Sequence, residues 1–296
     1  MRKFLIVMLV IALAVGAALS LVACNNDVDL PGLKWVNQEV LSYEIYDNGT
    51  LVGALVIKTE RVPAGEQVLN MTGETHNVSA STVKGTRVTM AATDLEGNVI
   101  MASESLLDGF TTLASAKKVS YNGTEYTTKA RYDGKRYIYS VNGGEEKKMR
   151  IKAGFVDNEL LYTVLRVYTI ENNYTGSYTV IDNVAGEKVE MSISTSNPEL
   201  RYNGTKQDVA GESVAGIKIY SDGVEQAMAT NVKCVELNIQ RAKAPVGSSI
   251  KVAYSVEGEG GLSVLGKGST GLYSTHIPVK IVENNLTYKL SSIQCA

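Results

Sequence analysis

Histidine, the commonest general base, occurs only twice, as His76 and His276. A Ser-His-Asp relay needs its base beside a nucleophile, and no G-x-S-x-G elbow presents one. Residues 211–216 (GESVAG) and 261–266 (GLSVLG) approach that pattern and fail its spacing. Each histidine stands alone in an alternating strand-like run and reads as a surface or satisfied group. Zinc is disfavoured too, because His and Cys never cluster at ligand spacing. The run Gly266-Lys267-Gly268-Ser269-Thr270-Gly271 matches G-x-G-x-x-G. A phosphate loop, however, needs a preceding parallel strand and a following helix. Here residues 275–282 (THIPVKIV) read as a strand. Gly268 also stands where a P-loop requires Ser or Thr, so the run reads as a glycine-rich loop. Glu145-Glu146 followed by Lys147-Lys148 reads as a solvated hairpin arm, and nothing selects a glycosidase pair from the 31 acidic residues. Residues 25–32 (NNDVDLPG) are acidic without the spacing of a calcium loop. The chain is therefore read as non-enzymatic, without cofactor or metal. A hydrolase with an illegible site is the remote alternative.

The most specific chemistry lies at the start. Arg2 and Lys3 precede an almost wholly apolar run from Phe4 to Leu21. That is a signal-peptide pattern, excluded from fold reasoning, although its length also suits a membrane helix. Its end decides between them. Leu21-Val22-Ala23-Cys24 resembles the bacterial lipobox, which implies cleavage after residue 23 and lipidation of Cys24. One acyl chain holds a membrane only marginally, so a two-chain anchor makes attachment durable. The expected protein is an extracytoplasmic lipoprotein, with the membrane as its first partner. It would sit on the outer face of the cytoplasmic membrane or at the outer membrane facing the periplasm. Asn25 rather than Asp follows Cys24, so no simple inner-membrane retention signal is visible. Residues 24–34 form a polar tether. Its eight residues 25–32 span at most roughly 28 Å, at about 3.5 Å each.

With Cys24 assigned to lipid, Cys234 and Cys295 remain as a candidate disulfide in an oxidising compartment. The bridge would pin the C-terminus to the body of the fold; the alternative is two separate thiols. A net charge of −2 without a basic patch argues against nucleic acid. Sequons at Asn48, Asn122, Asn203 and Asn285 coincide with turn signals and read as turns.

Tyr is abundant (16), Phe is scarce (3) and β-branched residues are many, which favours strands. Asn-Gly at 48, 122, 142 and 203 and Asp-Gly at 108, 133 and 222 punctuate alternating runs. These pairs accept the positive φ angles of tight hairpins. A further hairpin is expected about Asn284-Asn285. Leu160, Leu161, Val164, Leu165 and Tyr168 break the rhythm at helical spacing. A helix over 158–168 is expected, N-capped by Asp157, with Glu159 in its first turn and its leucines facing the sheet. Ser42–Asn48 (SYEIYDN) is echoed at Ser177–Asn183 (SYTVIDN), by duplication or as two strands ending in Asx turns. Removing residues 1–23 leaves roughly 270 residues, the size of one large all-β domain or two small ones. Residues 35–296 are read as one domain, in halves of about 35–155 and 171–296. The Gly- and Ser-rich residues 256–274 read as a long loop or kinked edge. Trp35, Tyr43 and Tyr46 surround the first strand, Tyr43 and Tyr46 on opposite faces, in core or rim packing.

Glu39-Val40-Leu41-Ser42-Tyr43-Glu44-Ile45, followed by Gly49 and Gly53, resembles the start of a family of exported bacterial proteins defined only as a domain of unknown function. The family's later Leu-rich segment with an Arg is matched by Leu160–Arg166. The likeness covers the middle two-thirds of the chain. It implies a mainly β fold, a curved antiparallel sheet forming a half-barrel or barrel-like sandwich with one central helix. Such sheets are similar to envelope carriers that cup an acyl chain. The leading expectation is an apolar ligand or cell-envelope component bound in the concavity. A structural or protein-interaction module at the membrane surface is the alternative.

Overall fold

The turn chemistry sets the architecture. Asn48, Asn142, Asp222 and Asn284 adopt positive φ, and Gly49, Gly143 and Gly223 follow three of them in the same region. This is the geometry that joins antiparallel strands tightly. The computed structural model describes residues 38–69, 78–83, 85–121, 123–167, 173–203, 205–209, 212–242, 249–256, 258–265, 272–274 and 276–295. Cys24, the tether, Trp35, His76 and residues 266–271 lie outside them, as do Asn122, Tyr168 and Gly204.

The first half is a meander. It runs β1 (Gln38–Asp47), β2 (Thr50–Val62), β3 (Gly65–Leu69), β4 (Val78–Thr82) and β5 (Gly85–Asp94). It continues through β6 (Val99–Asp108), β7 (Thr111–Tyr121), β8 (Thr124–Tyr132), β9 (Arg136–Val141), β10 (Lys147–Arg150) and β11 (Phe155–Asp157). After a helical segment come β12 (Thr175–Asp182), β13 (Glu187–Tyr202), β14 (Thr205–Val209), β15 (Glu212–Ser221) and β16 (Val224–Ala229). The chain ends with β17 (Val232–Arg241), β18 (Ser249–Ser255), β19 (Ser263–Leu265), β20 (Leu272–Ser274), β21 (Pro278–Glu283) and β22 (Leu286–Cys295).

Among the described residues one sheet contains 18 of these strands, with β3–β4 and β19–β20 as separate pairs. Its ladder runs from β10 through β9, β8, β7, β6, β5, β2 and β1 to β22. From β22 it continues through β21, β18, β17 and β13 to β12 and β11. The last strand thus sits beside the first, in mid-sheet. β22 pairs with β1 along one edge; on the other it pairs with β21 through 286–289 and with β15 through 292–295. The β11–β12 and β15–β22 pairings are parallel, so the expected antiparallel sheet is mixed. Strands from both arms of this ladder share one core, so the sheet curves around it, and among the described residues the pairings do not close it as a barrel.

Alternation assigns its faces. β1 buries Glu39, Leu41, Tyr43 and Ile45, and β13 buries Val189, Met191 and Ile193. These side chains join those of β2, β5, β12, β17, β18, β21, β22 and the helical segment in one core. Each buried aliphatic side chain contributes on the order of 1.5–3 kcal/mol. A smaller cluster, Tyr137, Tyr139, Ile151, Phe155 and Ile181, joins β9 to β11 and β12. Tyr132 and Tyr137 meet the Phe155 ring edge-on at 5.2 and 5.3 Å. At this seam the Asp157 amide donates to Thr112 Oγ1 at 3.0 Å, and the Gly154 amide to Thr111 Oγ1 at 2.8 Å.

The helical segment differs from the single helix expected. It is a 3₁₀ turn (Asn158–Leu160), one α-turn α1 (Leu161–Val164) and a second 3₁₀ turn (Leu165–Val167). Asp157 makes no side-chain cap; its Oδ1 instead accepts a hydrogen bond from the buried Tyr137 hydroxyl at 2.7 Å. A stretch this short has little intrinsic helical stability. Its shape follows from burial of Leu160, Leu161, Val164 and Leu165, each at most 3 % exposed.

Candidate functional site

Helical residues reach three parts of the concave face. The Tyr162 carbonyl accepts from the Tyr254 hydroxyl at 2.5 Å, and the Tyr162 hydroxyl lies 3.7 Å from Met90 Sδ. Arg166 forms a bidentate pair with Glu39, Nη1 to Oε1 at 2.5 Å and Nη2 to Oε2 at 3.0 Å. Its Nε donates to the His276 carbonyl at 2.8 Å. Both charged side chains are buried, 4 % and 1 % exposed. Burial alone would favour loss of the Arg166 proton, but the Glu39 carboxylate holds the guanidinium's pKa above its usual value. Beside them Tyr43 donates to the Pro278 carbonyl at 2.7 Å. The two segments that carried the resemblance, 127 residues apart, therefore meet in one buried ion pair.

At the hairpin end of the concavity lies a cavity of about 240 Å³. Ile45, Leu55, Ala92 and Ile281 form its buried wall, with Tyr162 of α1 beside them. Val52, Ile100, Met101, Val119 and Leu286 line it nearer to solvent. Lys117, Tyr121, Glu283 and Tyr288 are its polar members. Two bulges build this lining. The β1–β2 register shifts between Ile45 and Tyr46, so Val52 is the extra residue of β2. The β5–β6 register shifts between Ala92 and Thr93, which makes Ile100 the extra residue of β6. A bulge re-aims side chains, and both extra residues line the cavity although strict alternation would not place them there. Gly53 follows the first bulge, where a Cβ would stand 2.1 Å from the Thr93 carbonyl oxygen.

The polar groups share one neighbourhood. The Tyr288 hydroxyl is pushed up to about 12 by burial and by the nearby Glu283 carboxylate, against a lowering by Lys117. The Lys117 ammonium also lies 5.7 Å from the Tyr126 ring centre. The arrangement offers hydrocarbon contact inside and hydrogen bonding at the mouth.

The residues singled out from sequence lie elsewhere. His276 is buried, its Nδ1 2.9 Å from the Ser255 carbonyl oxygen. Glu146 is exposed and pairs with Arg131 at 3.1 Å. The strands flanking residues 266–271, β19 and β20, pair with each other, and the next described element after β20 is the strand β21. The expected bridge between Cys234 and Cys295 is not formed; both are buried free thiols. Cys234 stands across from Leu200 and Ser255, whereas Cys295 stands across from Glu39 and Ser221. β17 and β22 are separated by β18 and β21 along the ladder. Burial pushes each thiol up to about 12. Tyr43 is interior at 1 % exposure, while Tyr46 bonds Glu44 under the Lys289 ammonium. The cavity residues themselves were missed; the turns at its rim were visible, but the bulges leave no local signature.

No protein-family model matches the chain, and no curated protein does. Among solved structures it aligns with a β-barrel-like protein of Domain of Unknown Function DUF1849 from Brucella abortus. The identity is 9% and the TM-score 0.35, over 88% of this chain and 99% of the other.

Proposed function

We propose that this protein is a non-enzymatic, lipid-anchored extracytoplasmic protein that binds the hydrocarbon part of an envelope amphiphile in its concavity. The observation that carries this reading is the apolar cavity beside Tyr162, into which the bulge residues Val52 and Ile100 are turned. Ligand pockets are typically about 300–1,000 Å³, so about 240 Å³ suits a single chain rather than two. Each methylene buried there contributes about 0.8 kcal/mol. The signal pattern ending at Cys24 supports export and membrane attachment.

Displacement of an environment-sensitive fluorescent fatty acid from the soluble domain tests the reading. Saturable binding is expected, and Ala92→Leu and Met101→Trp, which fill the cavity from two strands, should each abolish it while leaving the fold intact. Absence of saturable binding, or binding unchanged in both variants, would overturn the proposal.

One observation favours the second reading, a protein-interaction module. Among the described residues the ladders give β16 one partner, β15, and its Val224 and Met228 are 61% and 42% exposed. An edge of this kind accepts an added strand. Crosslinking from position 224 in intact cells would capture a specific partner if this edge is occupied.

A further inference from the structure

A second cavity, of about 170 Å³, adjoins the first at Glu283, which lines both. The helical segment reaches each of them, Asn158 the second and Tyr162 the first. The apolar wall of the second is Val189 and Met191 of β13 with Ile239 of β17 and Ile250 of β18. The rest of its lining is polar, with Asn158, Asp182, Ser249 and Asn284 beside Arg241. At about 30 Å³ of liquid volume per water, the space matches about six waters and admits one ring-sized polar group. The charged groups around the two cavities are already engaged. Arg241 pairs with Glu187. Asp182 Oδ1 accepts from the Val184 and Ala185 amides at 3.1 and 2.9 Å. The Lys117 ammonium lies over the Tyr126 ring, and Glu283 has a partner of its own. An ionic head would have to compete with these contacts. Hydroxyl groups both donate and accept, as do the Asn158 and Asn284 amides and the Ser249 hydroxyl. A neutral, hydroxyl-rich head therefore gains hydrogen bonds without taking a partner from a charge. We infer that the two cavities form one site for a single-chain amphiphile with an uncharged polyhydroxyl head such as a monosaccharide, its chain beside Tyr162 and its head between Asn158 and Ser249. This rests on the proposal that the first cavity binds a hydrocarbon chain; it adds the second cavity and the class of the head group.

The test compares dodecyl glucoside, dodecanol, laurate and dodecylammonium below their micelle or solubility limits, by displacement of the same fluorescent probe. The four share a chain length and differ in head. The glucoside is expected to bind at least about tenfold more tightly than the other three, the gain from a few net hydrogen bonds. Ile250→Trp, which fills the second cavity, should reduce the glucoside to the affinity of dodecanol and leave dodecanol unchanged. Asn158→Ala combined with Ser249→Ala should weaken the glucoside alone. Asn158, Ser249 and Ile250 are all half-buried, so these variants should fold, with circular dichroism and thermal midpoint as controls. Free glucose should not bind measurably in calorimetry at concentrations that saturate with the glucoside. Equal binding of the glucoside and dodecanol, or tighter binding of either charged ligand, would overturn the head-group inference while leaving hydrocarbon binding intact. So would an Ile250→Trp variant that weakens dodecanol as much as the glucoside, or free glucose that binds as tightly as the glucoside. Binding by none of the four would remove the parent reading as well.

Discussion

Arg166→Met should be the most damaging conservative-volume substitution in the concave face. It removes both guanidinium bonds to Glu39 and the donor to the His276 carbonyl. The Glu39 side chain is only 1% exposed, so water cannot replace the lost partner without local opening. Breaking a buried pair from one side costs about 3–5 kcal/mol. At about 2–4 °C per kcal/mol for a domain of this size, the midpoint should fall by roughly 6–20 °C. Adding Glu39→Leu removes the stranded charge. The remaining loss, the donor to the His276 carbonyl, is on the order of 1–3 kcal/mol. The double variant should therefore be more stable than Arg166→Met alone. Urea midpoints at constant m give the four corners of the cycle. If the loss in the double variant equals the sum of the two single losses within about 0.5 kcal/mol, the pair is not energetically coupled and the reasoning fails.

Gly53→Ala forces a Cβ against the Thr93 carbonyl, 2.1 Å away, and should cost about 1–3 kcal/mol in a urea titration. A fully stable variant would mean that β2 and β5 separate easily there. Cys234 and Cys295 should resist iodoacetamide at pH 8 until the protein is unfolded, and reductant should not change the mass; rapid native labelling would contradict their burial. Because burial raises both thiols from 9.0 to about 12, their stabilisation is complete below pH 9 and is lost as pH rises from 9 through 12. A urea midpoint unchanged between pH 8 and 11 would refute that linkage. Cys24→Ser should move the protein from the membrane to the soluble fraction of the cell, as judged by fractionation and palmitate labelling. Retention in the membrane would point to the uncleaved apolar run instead.

What could be read from sequence was local. Asn48-Gly49, Asn142-Gly143 and Asp222-Gly223 encode their turns in adjacent residues, and the observed φ angles agree. The inward phase of β1 follows from alternation alone. On β22 alternation fails, because the pairing with β1 shifts at Ser42 and Tyr43. Leu290 is buried on one side of the shift, Ile293 and Cys295 on the other. Ser291, passed over by the register, bonds the Ser42 carbonyl at 2.9 Å. Such a phase change depends on two strands some 250 residues apart in the chain, so no window on either reveals it. Parallel pairing of β15 with β22 is invisible for the same reason. Asp157 was misplaced because its cap-like position ignored a buried tyrosine reached only through tertiary folding. The Glu39–Arg166 pair lay within two segments already marked by resemblance, but nothing in either specified the other as its partner.

The position of β22 has a consequence for synthesis. The final ten-residue strand is the partner of the first, and it also holds β21 and β15. Until Leu286–Cys295 leaves the ribosome, three strand edges have no neighbour on that side. Long-range closure of this kind is slow, because loop entropy is lost before the contacts that compensate it form. The emerging chain can form its local hairpins but cannot complete its sheet. A product truncated before residue 286 would expose the edges of β1, β15 and β21 together, a ready substrate for proteases and for strand exchange with other chains.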